Sequence, residues 1–366
     1  MKVGILTFHC VHNYGAILQA YALQEYIKSL GHEAYIIDYR PKYLLEPYAI
    51  FSKDRFVGLS VLRKIIYGIR ELVVLPIRVK RWYNFNRFVK SYLRLRDFCH
   101  LQNDIDVYVF GSDQIWNPII SHGIDPVFVG NFSTSNNKAK IAYAASLGSL
   151  KHLSKNDEET LFSGLANFSS ISCRENSLSE YLSKNIRCRV ETVVDPVLLV
   201  GKPIFDQIMH KVDKRHPYLL FFTLSHNAQA QSIAYRYAKE QGLDIVEIVS
   251  FQISAFNFRT KQAVSVERLL GYIAAADFIV TTSFHGTALS VLYNKEFVYF
   301  ADNPQVGERS TDLLKSIGLD NRVIDKDNND LSFDPIDYTK VQIQLDAACS
   351  HSKNFILRSL LCHSSQ

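Results

Sequence analysis

The feature that most restricts this chain is an alternation, repeated twice, of short β-branched apolar runs with longer segments of helical periodicity. Lys2 to Phe8 reads as a buried strand, Gly15 to Leu30 (GAILQAYALQEYIKSL) as an apolar-faced helix stopped by Gly31, and Glu33 to Asp38 as a second strand. Parallel strands need a crossover, usually a helix, so these three segments open a parallel sheet. Further strands are expected at Asp106 to Phe110, Lys140 to Ala144, Ser170 to Cys173 and Val190 to Val194. The alternation lapses between Gly201 and Pro217 and restarts at Tyr218 to Thr223, Asp244 to Val249, Phe278 to Thr282 and Phe297 to Phe300. The expected fold class is therefore α/β, with two Rossmann-like domains facing across a cleft, residues 1–200 and 201–335, and a helix within 336–366 packing back on the first. A length of 366 residues is enough for two cores, and 47% hydrophobic against 21% charged residues argues against general disorder.

The six cysteines are scattered, with no CxxC pair, and are expected to be reduced thiols of a cytoplasmic protein. The start, MKVGILTFHC, is too short an apolar run for a signal peptide, and no segment has the length needed to cross a bilayer. Charge is unevenly spread. Between Lys53 and Arg96 twelve Lys or Arg face only Asp54 and Glu71, a local balance of +10 within a total of +5, which leaves −5 for the remainder. From Phe56 to Leu95 the pattern is helical, with Val61, Leu62, Ile65, Ile66 and Ile69 interleaved with Arg63, Lys64, Arg70, Arg78, Lys80, Arg81 and Trp82. Such a basic amphipathic segment suits an anionic membrane surface, so residues 53–96 are expected to hold the protein peripherally on the inner face of the cell membrane. Helices packed on a sheet with a solvated charged face would give the same pattern. A nucleic-acid partner is not expected, because no RNP, zinc-finger or basic-zipper signature accompanies the charge.

Chemistry concentrates where strands end. Phe278 to Tyr293 (FIVTTSFHGTALSVLY) reads as strand, tight turn and helix. The helix N-terminus there would offer N–H groups to an anion, with His285 aimed at it, Gly286 allowing close backbone approach, and Thr281, Thr282 and Ser283 adding hydroxyls. A core histidine beside a helix cap is the plainer reading of the same residues. The loop His9-Cys10-Val11-His12-Asn13-Tyr14-Gly15 repeats the arrangement after the first strand, without a GxGxxG or Walker pattern. His9 and His12 are spaced HxxH, but no further ligand stands nearby, so no metal site is expected. After the strand at Asp106 to Phe110, Asp113, Gln114 and Trp116 would make a floor for a sugar, the carboxylate and amide meeting hydroxyls and the indole a ring face; a turn with a core Trp fits equally.

GILTFHCVHNYGAILQAYALQ, DVYVFGSDQIWNP, ISCRENS, VVDPVLL, SFHGTALSVL and ERSTDLLKSIGL occur in this order, and together they resemble the polysaccharide pyruvyl transferase family over roughly residues 1–320. The resemblance implies a two-domain fold like the GT-B glycosyltransferases, phosphoenolpyruvate as donor without a further cofactor, and a lipid-linked or free saccharide of a surface polysaccharide as acceptor. Of the family's Arg-hydrophobic-His triplet, the His is His285 and the Arg position is Ser283; other family basic positions match Arg174 and Arg309. The resemblance and the reading of the strand ends together give donor binding by Arg174, Ser283, Gly286, Thr287 and Arg309, catalysis by His285 and Asp113, and acceptor contacts at His12, Asn13, Tyr14, Gln114 and Trp116 as expectations. A GT-B glycosyltransferase using a nucleotide sugar and a non-catalytic scaffold of glycan assembly are the competing readings.

Overall fold

The computed structural model describes the chain apart from residues 53–56, 59, 102–103, 136–137, 251–259, 302–307, 328–330, 332–333 and 364–366. The start of the basic segment, Lys53 included, and Gly307 lie outside the described residues.

Seven strands form the first sheet: β1 (Lys2–Leu6), β2 (Glu33–Asp38), β3 (Leu95–Asp97), β4 (Val107–Asp113), β5 (Ala139–Ala145), β6 (Ser170–Cys173) and β7 (Val190–Thr192). Their order is β3-β2-β1-β4-β5-β6-β7, and each pairing is parallel. The second sheet is built from β8 (Tyr218–Thr223), β9 (Asp244–Val249), β10 (Phe278–Thr281), β11 (Glu296–Phe300) and β12 (Val323–Ile324), in the parallel order β12-β11-β10-β8-β9. Parallel sheets are covered on both faces, and accordingly every residue of β4 and β8 is buried. Strand order reverses between β1 and β4 in one sheet and between β8 and β10 in the other. Ligands of open α/β sheets bind outside the carboxyl ends of strands at such reversals. Asp113 ends β4, the loop of His12 and Asn13 follows β1, and His285 follows β10, so the residues singled out by sequence stand at the two reversal points.

The basic segment folds differently from its expectation as one surface. Val61–Tyr92 is a single 32-residue helix with Pro76 inside it. Its first half exposes Val61, Leu62, Ile65, Ile66, Ile69 and Leu72, whereas Phe85, Phe88 and Val89 in the second half are buried in the core shared by both domains. Arg81 is buried there too, donating to the carbonyls of His12 (2.5 Å), Gln262 (3.1 Å) and Ser250, and lying 5.1 Å from the Phe85 ring. It joins the loop after β1 to the second domain through backbone acceptors alone. The helix ends before Leu95, which belongs instead to edge strand β3, paired with Ile36 of β2.

The helix Tyr338–Leu361 leaves the second domain and packs on the first. Ser352 Oγ accepts from the Val194 N–H (3.0 Å), Arg358 pairs with Glu191 (3.1 Å), and the Phe355 ring lies 6.3 Å from that of Tyr143. Among the described residues no helix is long and apolar enough to cross a membrane.

Candidate active site

The turn after β10 is fixed by its own side chains. Ser283 has extended backbone (φ −108°, ψ 133°), and its Oγ caps the helix Phe284–Leu292 by accepting from the Gly286 N–H at 3.4 Å. Thr281 Oγ1 in turn accepts from the Ser283 N–H (3.1 Å). This cap places His285 in the first helical turn, where 8% of its surface remains exposed. Its ring lies directly on Gly15, in the first turn of the helix Tyr14–Ser29 from the other domain: a Cβ at Gly15 would stand 2.0 Å from His285 Nδ1. Only glycine leaves room there.

His285 Nε2 stands 3.7 Å from Oδ2 of Asp195. Asp195 is fully buried, and one of its oxygens caps the short helix Pro196–Leu199 by accepting from the Val197 N–H at 2.9 Å. The other oxygen accepts from Ser112 Oγ (3.0 Å) and lies 3.2 Å from Arg174 Nη1. Burial alone would raise the Asp195 pKa, but the Arg174 charge, then His285, outweigh it and bring it down to about 2. Asp195 is therefore an anion at neutral pH, fixed beside the histidine.

Arg174 is the hub. Its Nε donates to the Ala144 carbonyl (3.2 Å), its Nη2 lies 3.3 Å from Asp113 Oδ1, and its guanidinium sits 5.1 Å from the Phe284 ring centre. Arg309 approaches the same ring at 5.6 Å. Its Nε lies 4.0 Å from Glu175 Oε1, which also accepts a hydrogen bond from the Ser146 hydroxyl. Burial raises the Glu175 pKa against the pull of Arg309, and burial together with Arg174 lowers that of Arg309. A cavity of about 380 Å³ opens beside this cluster, lined among others by Arg174, Asp195, Phe284, Arg309, Asp312 and His351. Arg174 Nη1, Arg309 Nε and His285 Nε2 are buried without a hydrogen-bond partner among the described residues. Each of the three nonetheless faces a buried carboxylate, Asp195 for Arg174 (3.2 Å) and His285 (3.7 Å) and Glu175 for Arg309 (4.0 Å), so they are ion-paired without a hydrogen bond of good geometry.

Several expected site residues do other work. Trp116 is no sugar platform: it is wholly buried, its indole N–H donating to the Phe128 carbonyl at 3.0 Å, because the apolar second layer of the first sheet encloses it. The Tyr14 hydroxyl donates to the Val264 carbonyl (2.8 Å) inside the domain interface and is not available to an acceptor. His12 is buried against Phe85 (ring centres 5.2 Å), and burial, reinforced by Arg81, lowers its pKa to about 4. Asn13 caps the helix Tyr14–Ser29, its Oδ1 accepting from Gly15 and Ala16 N–H groups at 2.9 and 3.3 Å. Thr287 is fully buried with its hydroxyl on the Ser283 carbonyl (3.1 Å). Gly286 serves packing, since a Cβ would stand 2.2 Å from Thr281 Oγ1, and its N–H is taken by Ser283. Gln114 remains half-exposed beside Gly148, and Asp113 reaches Arg174 from a left-handed backbone (φ 77°). His9 bonds Asp38 at 2.7 Å, and no metal-binding cluster of His, Cys, Asp or Glu occurs among the described residues.

The family model described as polysaccharide pyruvyl transferase matches residues 13–304, most of both domains. The chain belongs to that family. Among solved structures, a UDP-N-acetylglucosamine 2-epimerase covers 100% of this chain and 96% of its own at 10% identity and a TM-score of 0.53, which establishes the GT-B-like arrangement and nothing finer. The UDP-GlcNAc 2-epimerase of Neisseria meningitidis aligns over 99% of this chain and 100% of its own at 9% identity and a TM-score of 0.48. No curated protein gives a significant match. As a pyruvyl transferase the chain is a transferase, and its family implies a saccharide acceptor. Within the family triplet, Ser283 is a buried helix cap, and the guanidiniums around Phe284 come from Arg174 and Arg309, outside the triplet. Asp195, Glu175, Ser112 and Gly15 escaped the residue-by-residue reading. Asp195 precedes a proline at a strand end, which reads as an ordinary helix cap; only the fold shows that its second oxygen meets Arg174 and His285.

Proposed function

We propose that this enzyme transfers pyruvate from phosphoenolpyruvate to two hydroxyls of a saccharide, forming a pyruvate ketal and releasing phosphate. The observation that carries the proposal is the convergence of Arg174, Arg309 and His285 around Phe284, each with a buried nitrogen that is ion-paired to a carboxylate but makes no hydrogen bond among the described residues. Phosphoenolpyruvate brings a phosphate and a carboxylate, and guanidinium forks hold such groups well. Two guanidiniums against Asp113, Asp195 and Glu175 give a net charge of −1 if all ionise, so an anionic donor favours a neutral Glu175 and a protonated His285. Burial already pushes Glu175 toward its neutral form.

In the proposed reaction one acceptor hydroxyl adds to C2 of the donor while a proton is delivered to C3, turning the methylene into a methyl. The second hydroxyl then displaces phosphate, which departs with the remaining proton. His285 serves as the general acid, held by Asp195, and Asp113 receives the acceptor proton; such proton transfers contribute about 10²- to 10⁴-fold in rate. Gln114, half-exposed just after β4, contacts the acceptor, a lipid-linked or free precursor of a surface or exopolysaccharide. The enzyme works in the cytoplasm, held peripherally at an anionic membrane through the exposed first half of the basic helix, Val61 to Val73.

The test is incubation with phosphoenolpyruvate and candidate saccharides, reading phosphate release and a product heavier by a pyruvate ketal, with nucleotide sugars run in parallel. Release of a nucleoside diphosphate in place of phosphate would move the assignment to a glycosyltransferase. Saccharide binding without turnover of any donor would move it to a scaffold.

A further inference from the structure

Outside the active site, a groove of about 690 Å³ runs between the second half of the helix Val61–Tyr92 and the second domain. Lys80, Arg87, His210, Thr260, Lys261 and Arg268 line it. Glu267 neutralises Arg87 at 2.7 Å, but Lys80, Lys261 and Arg268 form no ion pair among the described residues. Thr260 is 8% exposed, and its hydroxyl is buried without a hydrogen-bond partner among the described residues. Three unneutralised cations and an unsatisfied buried hydroxyl in one groove fit a phosphate group of charge near −2 better than a singly charged diester.

Pro76 and Ile77 line the same groove, and the helix continues from them toward Val61 with its apolar side exposed. Val61, Leu62, Ile65, Ile66, Ile69, Leu72 and Val73 recur at helical spacing over about 20 Å. Arg63, Lys64 and Arg70 flank that stripe, so a second copy of the chain would bring like charges together. An anionic bilayer meets both features, taking the aliphatic side chains below its headgroups and the cations at their level.

We infer that the groove is a phosphate-recognition site for bilayer lipids with phosphomonoester headgroups, with the exposed stripe Val61 to Val73 as its apolar anchor. This deepens the membrane contact proposed above and is independent of the donor chemistry. Pro76 separates the two halves: the part before it lies in the bilayer surface, and the part after it presents Lys80 beside Lys261 and Arg268.

The experiment is co-sedimentation of the full chain with phosphatidylcholine vesicles, alone or doped with phosphatidic acid or with the same fraction of phosphatidylglycerol. Binding is expected to be tightest to phosphatidic acid and to be weakened by soluble pyrophosphate. The triple variant Lys80→Ala, Lys261→Ala, Arg268→Ala should bind phosphatidic acid vesicles at least about tenfold more weakly and lose its preference over phosphatidylglycerol. Ile65→Ser with Ile69→Ser, both exposed and tolerant of change, should abolish binding to both. An undiminished phosphatidic acid preference in the triple variant overturns the groove assignment. Conversion of an oligomer to a monomer by the isoleucine substitutions, with vesicle binding intact, overturns the anchor. Because the readout is sedimentation, absence of pyruvyl transfer would defeat the functional proposal and leave this result standing.

Discussion

Two turns at the heart of this molecule are built alike and do opposite things. After β1, Asn13 caps the helix Tyr14–Ser29; after β10, Ser283 caps the helix Phe284–Leu292. Each cap is followed within three residues by a glycine packed against other atoms, Gly15 on the His285 ring and Gly286 on Thr281. The first turn surrenders its functional groups to structure, with His12 against Phe85 and Tyr14 bonded to Val264. The second presents His285 with its Nε2 3.7 Å from a buried carboxylate. A strand-turn-helix motif with histidine and hydroxyls does not by itself make a reactive site. What separates the two is the set of charges supplied by other elements: Arg81 with backbone carbonyls near the first, Arg174, Asp195 and Arg309 near the second.

The sharpest way to break the contrast is at the contact joining the turns. His285→Ala should lower kcat/KM by about 10²- to 10⁴-fold. Gly15→Ala should approach that loss, because the added methyl overlaps the imidazole. Helix propensity alone would make the same substitution stabilising by up to about 1 kcal/mol. A Gly15→Ala enzyme that is more stable and fully active would refute the His-on-Gly geometry.

Next in size is Asp195→Asn, which leaves the buried Arg174 guanidinium with Asp113 as its remaining carboxylate and should cost about 3 kcal/mol in denaturant unfolding, with loss of activity. Its native pKa of about 2 lies below the ordinary 3.8, so the wild type carries stability from this group above pH 3.8 that fades as pH falls toward 2. The Asn variant should lack that acid limb.

The first turn is tested by His12→Gln. His12 titrates at about 4 against an ordinary 6.5, so its neutral form favours the folded state fully above pH 6.5. Up to about 3 kcal/mol disappears as pH falls from 6.5 to 4, and the variant should flatten that part of the stability profile while leaving turnover little changed. The smallest effects are at the caps, where Asn13→Ala and Ser283→Ala should each cost about 1 kcal/mol. Asn13→Ala should cost more, since Asn13 accepts two N–H groups and Ser283 one long bond.

Local pattern made most of the fold readable. The helix at Tyr14–Ser29 and strands β4, β8 and β10 fall where apolar period and Gly or Pro punctuation place them. Edge strands β3 and β12 have three and two residues, too few to show a period. At the site, His285, Arg174 and Asp113 announced themselves as charged groups at strand ends. Trp116 and Thr287 misled because their polar atoms are satisfied by backbone carbonyls that sequence does not reveal. Asp195 stayed hidden for the complementary reason, since the neighbours of its second oxygen, Ser112, Arg174 and His285, come from other elements far off in sequence.

The return of the last long helix to the first domain has a consequence for how the chain is made. Ser352 meets Val194 across 158 residues of sequence, and Phe355 covers Tyr143. During synthesis the seven-stranded sheet emerges first, with this flank of β5 and β7 bare until the second domain has left the ribosome. For that interval the nascent chain shows an apolar surface close to the candidate-site cluster, and exposed apolar surface of this kind favours aggregation. Truncations entering Tyr338–Leu361 should therefore appear in cells as lost soluble yield before any loss of specific activity is measurable.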